Sequence, residues 1–557
     1  MRGRAAASIL AVTLAELEVL VVDCQATSAA PRGHLLELGW ARRGTGATAT
    51  RARMIALPEG EHVPPAVARI TGITDALAAE GVPASQAWRE LSADAAALPQ
   101  RPAPTVAHFA QFERPFLARL AAGGCGPALE IACTHAIAVR LFPALPRRGL
   151  RALAGYFGRS VGPLRRSAEH VEATAFVWSH LVAALEEQGV RTWPELHAWL
   201  GRPASPRRHV KRGWPMPREL RLGLPDRPGV YRMLRTSGDV LYVGKAASLH
   251  HRVNSYFRKQ RGVPDRLLEM LSQARALSFE VTATPLEAAL LEPDEIKRHL
   301  PPYNEALVEG RRAVWFAQYD LSARSPGRSG ACPVGPFASA ELLDAMGAFV
   351  RGEPTALGRG AWAPPADVFE AGLSALRAAH RELEGGTDPR RMLRLGARLW
   401  REGRRLTRDA EIASEGDPGV EPTQGWTPAL VVAGLEWLAL RGAHAVRRAR
   451  WLTALVESTL VWSEPSAASG ARLLVVEDGA IAHRTSVEPG AEPPVPARYA
   501  RTRAERCEGF TVARLDRLRV LTTELKRLVA NSYPAALRLG PSMTLAGPRL
   551  ARVLGWL

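Results

Sequence analysis

The apolar run Val19-Leu20-Val21-Val22 ends on Asp23, which reads as a strand buried on both faces with a carboxylate near its tip. A second strand with partial alternation is expected over residues 34–42, and helical periods run over 110–121 and 169–185. Strands interleaved with helices predict an α/β domain over residues 15–185. From 201 to 221 the apolar period is lost and Pro and Arg accumulate, so residues 186–221 read as a helix followed by a basic linker. A compact α/β unit is expected over 222–310, with strands at 229–235 and 240–243 joined by the turn Ser237-Gly238-Asp239. The remainder, 311–557, reads as mostly helical, with a basic amphipathic helix over 390–413 and a loop at 416–425. It carries one small hairpin, 473–477 and 480–485 around Asp478-Gly479.

A chain of 557 residues exceeds what one core organises, so several domains are expected. No apolar run approaches the roughly 18 residues of a membrane span. In the first 20 residues Glu16 and Glu18 interrupt the apolar stretch, and no small-residue cleavage site follows. A soluble, cytoplasmic protein with no membrane partner is the expectation. Cys24, Cys125, Cys133, Cys332 and Cys507 form no CxxC pair, which argues against a zinc site or a disulfide framework. The formal charge of +18 favours a polyanionic partner. Only five of the 73 basic residues are lysines, and Lys245, Lys259 and Lys297 share one window. Where arginine is the default cation, a lysine marks a place that uses a compact, rotatable ammonium.

That window holds the strongest chemical pattern. PGVY at Pro228 to Tyr231 precedes YVGK at Tyr242 to Lys245, and Arg252 and Tyr256 follow the lysine at +7 and +11. Downstream, LEAALLEPDEIKRHLPPYN places Glu292 in an otherwise apolar helical face and ends on Asn304. Phosphodiester hydrolysis needs a base, cations for the developing charge and a metal held by a carboxylate, and this set supplies each. A phenol with a reference pKa of about 10 needs cationic neighbours to act as the base. Taken singly, each tyrosine reads as an amphipathic core residue and Glu292 as a solvated helix residue.

These motifs, PGVYRM, VLYVGKAASLHHRVNSYF and LEAALLEPDEIKRHLPPYN, with GPF at Gly335 to Phe337, resemble the GIY-YIG nuclease domain of the UvrC and Cho excision-repair endonucleases. The resemblance implies Tyr231 as base, with Tyr242, Lys245, Arg252 and Tyr256 shaping the phosphate site. It also implies Glu292 as the ligand of one Mg²⁺ or Mn²⁺, and Asn304 as support. Damaged or distorted double-stranded DNA and a UvrB-like loading protein are the implied partners. One departure is Pro293, directly after the implied ligand, where a proline threatens to kink the helix and re-aim Glu292.

The first segment resembles the DnaQ-like exonucleases of the DEDD superfamily, which bind two metals with four acidic residues. Asp23 fits the first acid, but Gln25 stands at the second, and VAHFAQFERPFL places Glu113 where aspartate is usual. In RRSAEHVEATAFVW the family's His and Asp become Arg165 and His170. An amide cannot match a carboxylate on a divalent ion, so the resemblance implies a folded, inactive exonuclease. Arg165 and His170 either neutralise phosphates at the old cleft or are drifted surface residues. Basic helices in the last third read as solvated faces.

The expected fold is therefore an α/β multidomain chain. An RNase H-like, DnaQ-type domain comes first, then a small α/β GIY-YIG domain, then a mostly α-helical region with a small β hairpin. The expected function is a metal-dependent DNA endonuclease in excision-type repair. Two alternatives stay open: an inactive DNA-binding scaffold, or a 3′–5′ exonuclease retaining Asp23, Glu113 and His170.

Overall fold

A computed structural model describes residues 12–30, 32–123, 126–160, 162–203, 213–258, 262–304, 313–357, 363–403, 425–465, 470–496 and 502–557. Cys125, Lys259, residues 204–212 of the expected linker, the expected loop at 416–424 and the end of the expected basic helix lie outside the described residues.

In the first domain β1 (Val19–Ala26), β2 (Leu35–Arg43) and β3 (Arg51–Met54) pair antiparallel. β4 (Ala103–Ala107) and β5 (Leu129–Cys133) add parallel on the other side of β1, giving the order β3-β2-β1-β4-β5 of an RNase H-like sheet. The apolar run of β1 divides by the two-residue period of a strand. Val19 and Val21 pack under the helix Ser167–Glu187, with Val171, Val177 and Leu181. Leu20 and Val22 face the opposite layer, with Trp88, Leu91, Phe116 and Leu117. This is why the strand reads as a continuous apolar run rather than an alternating one. The helix Trp193–Gly201 also buries Trp193 and Leu196 in the first of these cores, so it docks on this domain.

The middle domain is a three-stranded antiparallel sheet, β6 (Gly229–Leu234), β7 (Val240–Ala246) and β8 (Ala276–Val281), in the order β7-β6-β8. Its turn uses Gly238 at φ 88°. The helices Leu249–Ser255, Asp265–Gln273 and Pro285–His299 complete it.

The C-terminal region is richer in strands than a single hairpin. β9 (Trp315–Ala317), β10 (Arg324–Pro326) and β11 (Val334–Phe337) form a small antiparallel sheet, and the GPF motif lies in β11 rather than in the sheet of the middle domain. Among the described residues four α-helices follow, the longest being Pro428–Leu455. A five-stranded antiparallel sheet then contains β12 (Ser458–Trp462), β13 (Ala471–Glu477), β14 (Ala480–Val487), β15 (Ala535–Leu539) and β16 (Thr544–Ala546), in the order β14-β13-β12-β15-β16. The expected hairpin is β13–β14 at its edge. Asp478 (φ 50°) and Gly479 (φ 67°) both adopt the left-handed conformation that a two-residue turn requires. Helix Pro428–Leu455 has an 18-residue window of mean hydropathy 1.3 and is long enough to cross a membrane. Its apolarity has a local cause: Val431, Leu435 and Leu438 pack against Phe369, Leu373, Met392 and Leu395.

The middle domain is held from two sides. Toward the first domain, the backbone N–H of Arg147 donates to Ser272 Oγ at 2.9 Å, Arg151 pairs with Glu269 at 3.2 Å, and Arg275 lies 4.0 Å over the Tyr156 ring. Toward the C-terminal region, Leu286 and Leu290 of the helix Pro285–His299 join the core built on Leu455, Leu518 and Leu521. Ion pairs Glu287–Arg472 (2.8 Å), Asp294–Arg517 (2.7 Å) and Lys297–Asp516 (3.1 Å) line the same seam.

Candidate active site

Three tyrosines from three elements meet at one end of the middle sheet. β6 supplies Tyr231, β7 supplies Tyr242, and Tyr256 caps the helix Leu249–Ser255. Their ring centroids form a nearly equilateral triangle with sides of 6.2, 6.3 and 6.3 Å, and the Tyr231 and Tyr256 hydroxyls are 2.8 Å apart. The Arg252 guanidinium sits 5.1 Å from the Tyr256 ring centroid. Two glycines make this approach possible. A Cβ on Gly244 would lie 2.5 Å from the Tyr231 hydroxyl oxygen, and one on Gly229 would lie 2.2 Å from the Glu280 carbonyl oxygen. Neither glycine was singled out by polar-residue spacing, because the requirement is steric.

Burial governs the phenols. Tyr231 is fully buried, and burial, then the neighbouring Tyr256 and Tyr242, hold its pKa well above the ordinary tyrosine value while Arg252 pulls it down. Tyr242 is likewise raised by burial and by Tyr256. The neutral phenol is the resting form of both.

Glu292 is delivered from the other direction. Thr284 caps the helix Pro285–His299 by accepting from the Glu287 N–H at 3.3 Å, and Pro285 occupies the first turn, where a missing N–H is harmless. The helix runs on through buried Pro293 to His299, so the proline does not end it. Glu292 Oε1 accepts from the backbone N–H of Lys245 at 3.1 Å, and Lys245 Nζ lies 3.4 Å from Oε2. The carboxylate is therefore aimed at β7, one residue from Gly244. Asn304 clamps the backbone of Val243, accepting from its N–H and donating to its carbonyl, both at 2.9 Å. That pairing fixes β7 between Tyr242 and Gly244.

The cleft of the first domain, of ≈ 840 Å³, is lined by Asp23, Gln25, His108, Glu113 and His170. Asp23 accepts from Gln25 Nε2 at 2.9 Å and pairs with His170 Nδ1 at 3.2 Å. Burial, then the charge of Asp23, raises the Glu113 pKa to about 9, so this acid is protonated at neutral pH. Burial, then His135 and His170, lowers the His108 pKa to about 3. Among the described residues, no group of three or more His, Cys, Asp or Glu side chains could hold a metal ion. Arg165 is a correction: it is exposed and does not line the cleft, so only His170 of that expected pair faces it. The arginine used structurally is its neighbour Arg166, whose Nε donates to buried Glu37 at 3.0 Å. Spacing alone also missed Phe109, 48% exposed at φ 62° and stacked 4.1 Å from His135.

The three-tyrosine sheet end and its opposing carboxylate define a GIY-YIG nuclease domain joined to an exonuclease-like domain. Residues 227–305 match the UvrC-like GIY-YIG domain family. Over 324 residues the chain is 32% identical to a putative bifunctional exonuclease/endonuclease protein of Mycobacterium tuberculosis, covering 55% of this chain and 47% of that one. It is 44% identical over 124 residues to UvrABC system protein C of Sphingopyxis alaskensis, covering 21% of this chain and 19% of the relative. The chain thus spans about half the length of the first relative and a fifth of the second. Among solved structures it is similar to the magnesium-bound GIY-YIG N-terminal endonuclease domain of UvrC from Thermotoga maritima, at 32% identity, covering 16% of this chain and 94% of that one, with a TM-score of 0.15. Exonuclease X in complex with 5′ overhanging duplex DNA covers 33% of this chain and 99% of its own, at 17% identity and a TM-score of 0.26.

Proposed function

We propose that this chain is a divalent-metal-dependent endonuclease of the UvrC/Cho type that nicks damaged or distorted double-stranded DNA in repair. The observation that carries the reading is the convergence of Tyr231, Tyr242, Tyr256, Arg252 and Lys245 on the strand end faced by Glu292. A UvrB-like protein is the proposed loading partner, and the family match over 227–305 supports that choice.

Glu292 is the residue that would hold the cation, and its chemistry fits: one partly buried carboxylate suits a hard ion that keeps several waters. When bound, such an ion supplies Lewis-acid stabilisation of the charge that develops on the phosphate. Lys245 and Arg252 add fixed positive charge on the same side. The Tyr231 and Tyr256 hydroxyls share a hydrogen bond, so once Tyr231 has lost its own proton its phenolate oxygen can take one from water while the Tyr256 O–H donates to it. Burial opposes ionisation of Tyr231, so its basicity is expressed only when Arg252 and the bound cation offset that cost.

The exonuclease-like cleft is proposed to be inactive. A protonated Glu113, an amide at Gln25 and an Asp23 neutralised by His170 leave too little negative charge for two cations. The deciding experiment incubates the protein, with and without a UvrB-like partner, with Mg²⁺ or Mn²⁺ and a labelled duplex carrying a bulky lesion. A single nick lost in Tyr231→Phe and Glu292→Ala but kept in Asp23→Ala supports the proposal. Stepwise loss of 3′ nucleotides that depends on Asp23 overturns it.

A further inference from the structure

The C-terminal region holds a cavity of ≈ 190 Å³ between the helices Pro389–Arg401 and Pro428–Leu455 and the chain's last residues. One wall is aromatic. The Trp400 ring lies 5.9 Å from both His444 and Trp556, and the Arg447 guanidinium covers Trp556 at 4.2 Å. The volume falls below the ~300 Å³ at which pockets begin to take drug-sized ligands, so it suits one flat ring system rather than a whole dinucleotide.

The surroundings are cationic. Arg447 and Arg450 line the cavity, and Arg448 lies on the same helix turn as His444. Arg519 and Lys526 approach Arg448 from the helix Val512–Ala530. Among the described residues no carboxylate side chain pairs with Arg447, Arg448, Arg450, Arg519 or Lys526, whereas Arg398, Arg472, Arg514, Arg517 and Arg527 of this region each have one. Arg447, Arg448, Lys526 and His444 all titrate below their ordinary values, first through burial and then through neighbouring cations: Arg450 for Arg447, Arg519 for Arg448, and Arg448 for both Lys526 and His444. Five cations without acids raise the folding free energy unless an anion completes the group.

We propose that this cavity binds an unpaired base of single-stranded or locally opened DNA, with Trp400 and Trp556 stacking on the base and the arginine-lysine basin holding its phosphates. Aromatic stacking beside a cationic track is the shared physical basis of single-strand binding. The choice of DNA as the polyanion rests on the nuclease reading above; the base pocket does not depend on cleavage.

The test measures binding of a fluorescently labelled single-stranded oligodeoxynucleotide and of the matching fully paired duplex to the full chain in EDTA, so that nothing is cut. Trp400→Ala is expected to weaken single-strand binding on the order of tenfold or more, and Trp400→Phe to retain most of it. Arg448→Met is expected to weaken binding, to flatten its salt dependence by roughly one phosphate contact, and to raise the thermal midpoint, because it removes unopposed repulsion. A merely structural Arg448 would lower that midpoint instead. Unchanged affinity in both Trp400→Ala and Arg448→Met overturns the proposal, as does equally tight binding of the paired duplex through the same residues. Wild-type protein that binds in this way but never nicks sinks the nuclease reading alone.

Discussion

The Tyr231 hydroxyl lies 2.8 Å from the Tyr256 hydroxyl, so one phenol donates and the other accepts inside a site where both rings are packed. Replacing Tyr231 by Phe keeps the ring and removes the shared proton position. Nicking should fall by roughly 10²–10⁴-fold, the usual worth of an acid-base group, with stability reduced by only about 1 kcal/mol. Steady-state nicking beside a thermal melt measures both. An active Tyr231→Phe protein would remove this phenol from the chemistry.

Glu292 faces Lys245 at both its backbone and its ammonium. Glu292→Gln keeps the acceptor for the Lys245 N–H but loses the negative charge. It should fold normally and need far more Mn²⁺ to nick, and chelation should silence the unmodified protein. Metal titrations of both proteins decide the point: superimposable curves would mean that the cation, if any, binds elsewhere.

Asn304→Ala removes both hydrogen bonds to Val243 and leaves an edge-strand N–H and carbonyl unmatched. A loss of about 1–3 kcal/mol is expected, together with slower nicking, because β7 carries Tyr242 and Lys245. Hydrogen exchange at the Val243 amide should rise in this variant; protection equal to the parent would show that the clamp contributes nothing.

The first domain should lose stability as pH rises. His170 has a folded pKa above its ordinary 6.5 because the hydrogen bond and charge of Asp23 outweigh its burial, so its contribution is full below that value and fades above it. Glu113, raised from 4.5 to about 9, binds its proton more tightly when folded, and its effect has the same sign between those values. Glu113→Gln should flatten the decline between pH 5 and 9. Denaturation midpoints across that range test it, and an unchanged slope would mean Glu113 is ionised in the folded protein.

Lys297 and Asp516 pair at 3.1 Å with side-chain exposures of 11% and 1%. Asp516→Ala leaves a buried ammonium without this partner and should cost about 3–5 kcal/mol. The helix carrying Glu292 would loosen with it, so nicking should suffer although residue 516 lies far along the chain from the tyrosines. Full activity and an unshifted melt in Asp516→Ala would show that the seam does not support the site.

The strands at 19–22, 34–42, 229–235 and 240–243 and the helices at 110–121 and 169–185 were legible because burial repeats along them. Val19 to Val22 is apolar on both faces, and the period over Ala110–Ala121 is uninterrupted apart from Pro115. The tyrosine set was legible from its spacing. β12 was not, because it follows the long helix after Val456 and Glu457 with no turn residue between them. β9, β10 and β16 are three residues each, too short for any period to register. Arg165, expected either at the cleft or on the surface, is exposed, because the fold starts the helix at Ser167 and gives the buried ion pair to Arg166. Pro293 looked disruptive from local rules, and the packing of its helix against β7 and the C-terminal core overrides them.

Leu286 and Leu290 have a consequence for anyone who would trim this chain. They sit within the stretch matched by the nuclease family, yet their shielding comes from Leu455, Leu518 and Leu521. An excised piece ending near residue 304 would present those leucines to water beside an orphaned Glu287, Asp294 and Lys297, a sticky stripe rimmed by charge. The middle domain has grown into its neighbour, and transplanting it would require redesigning that face first.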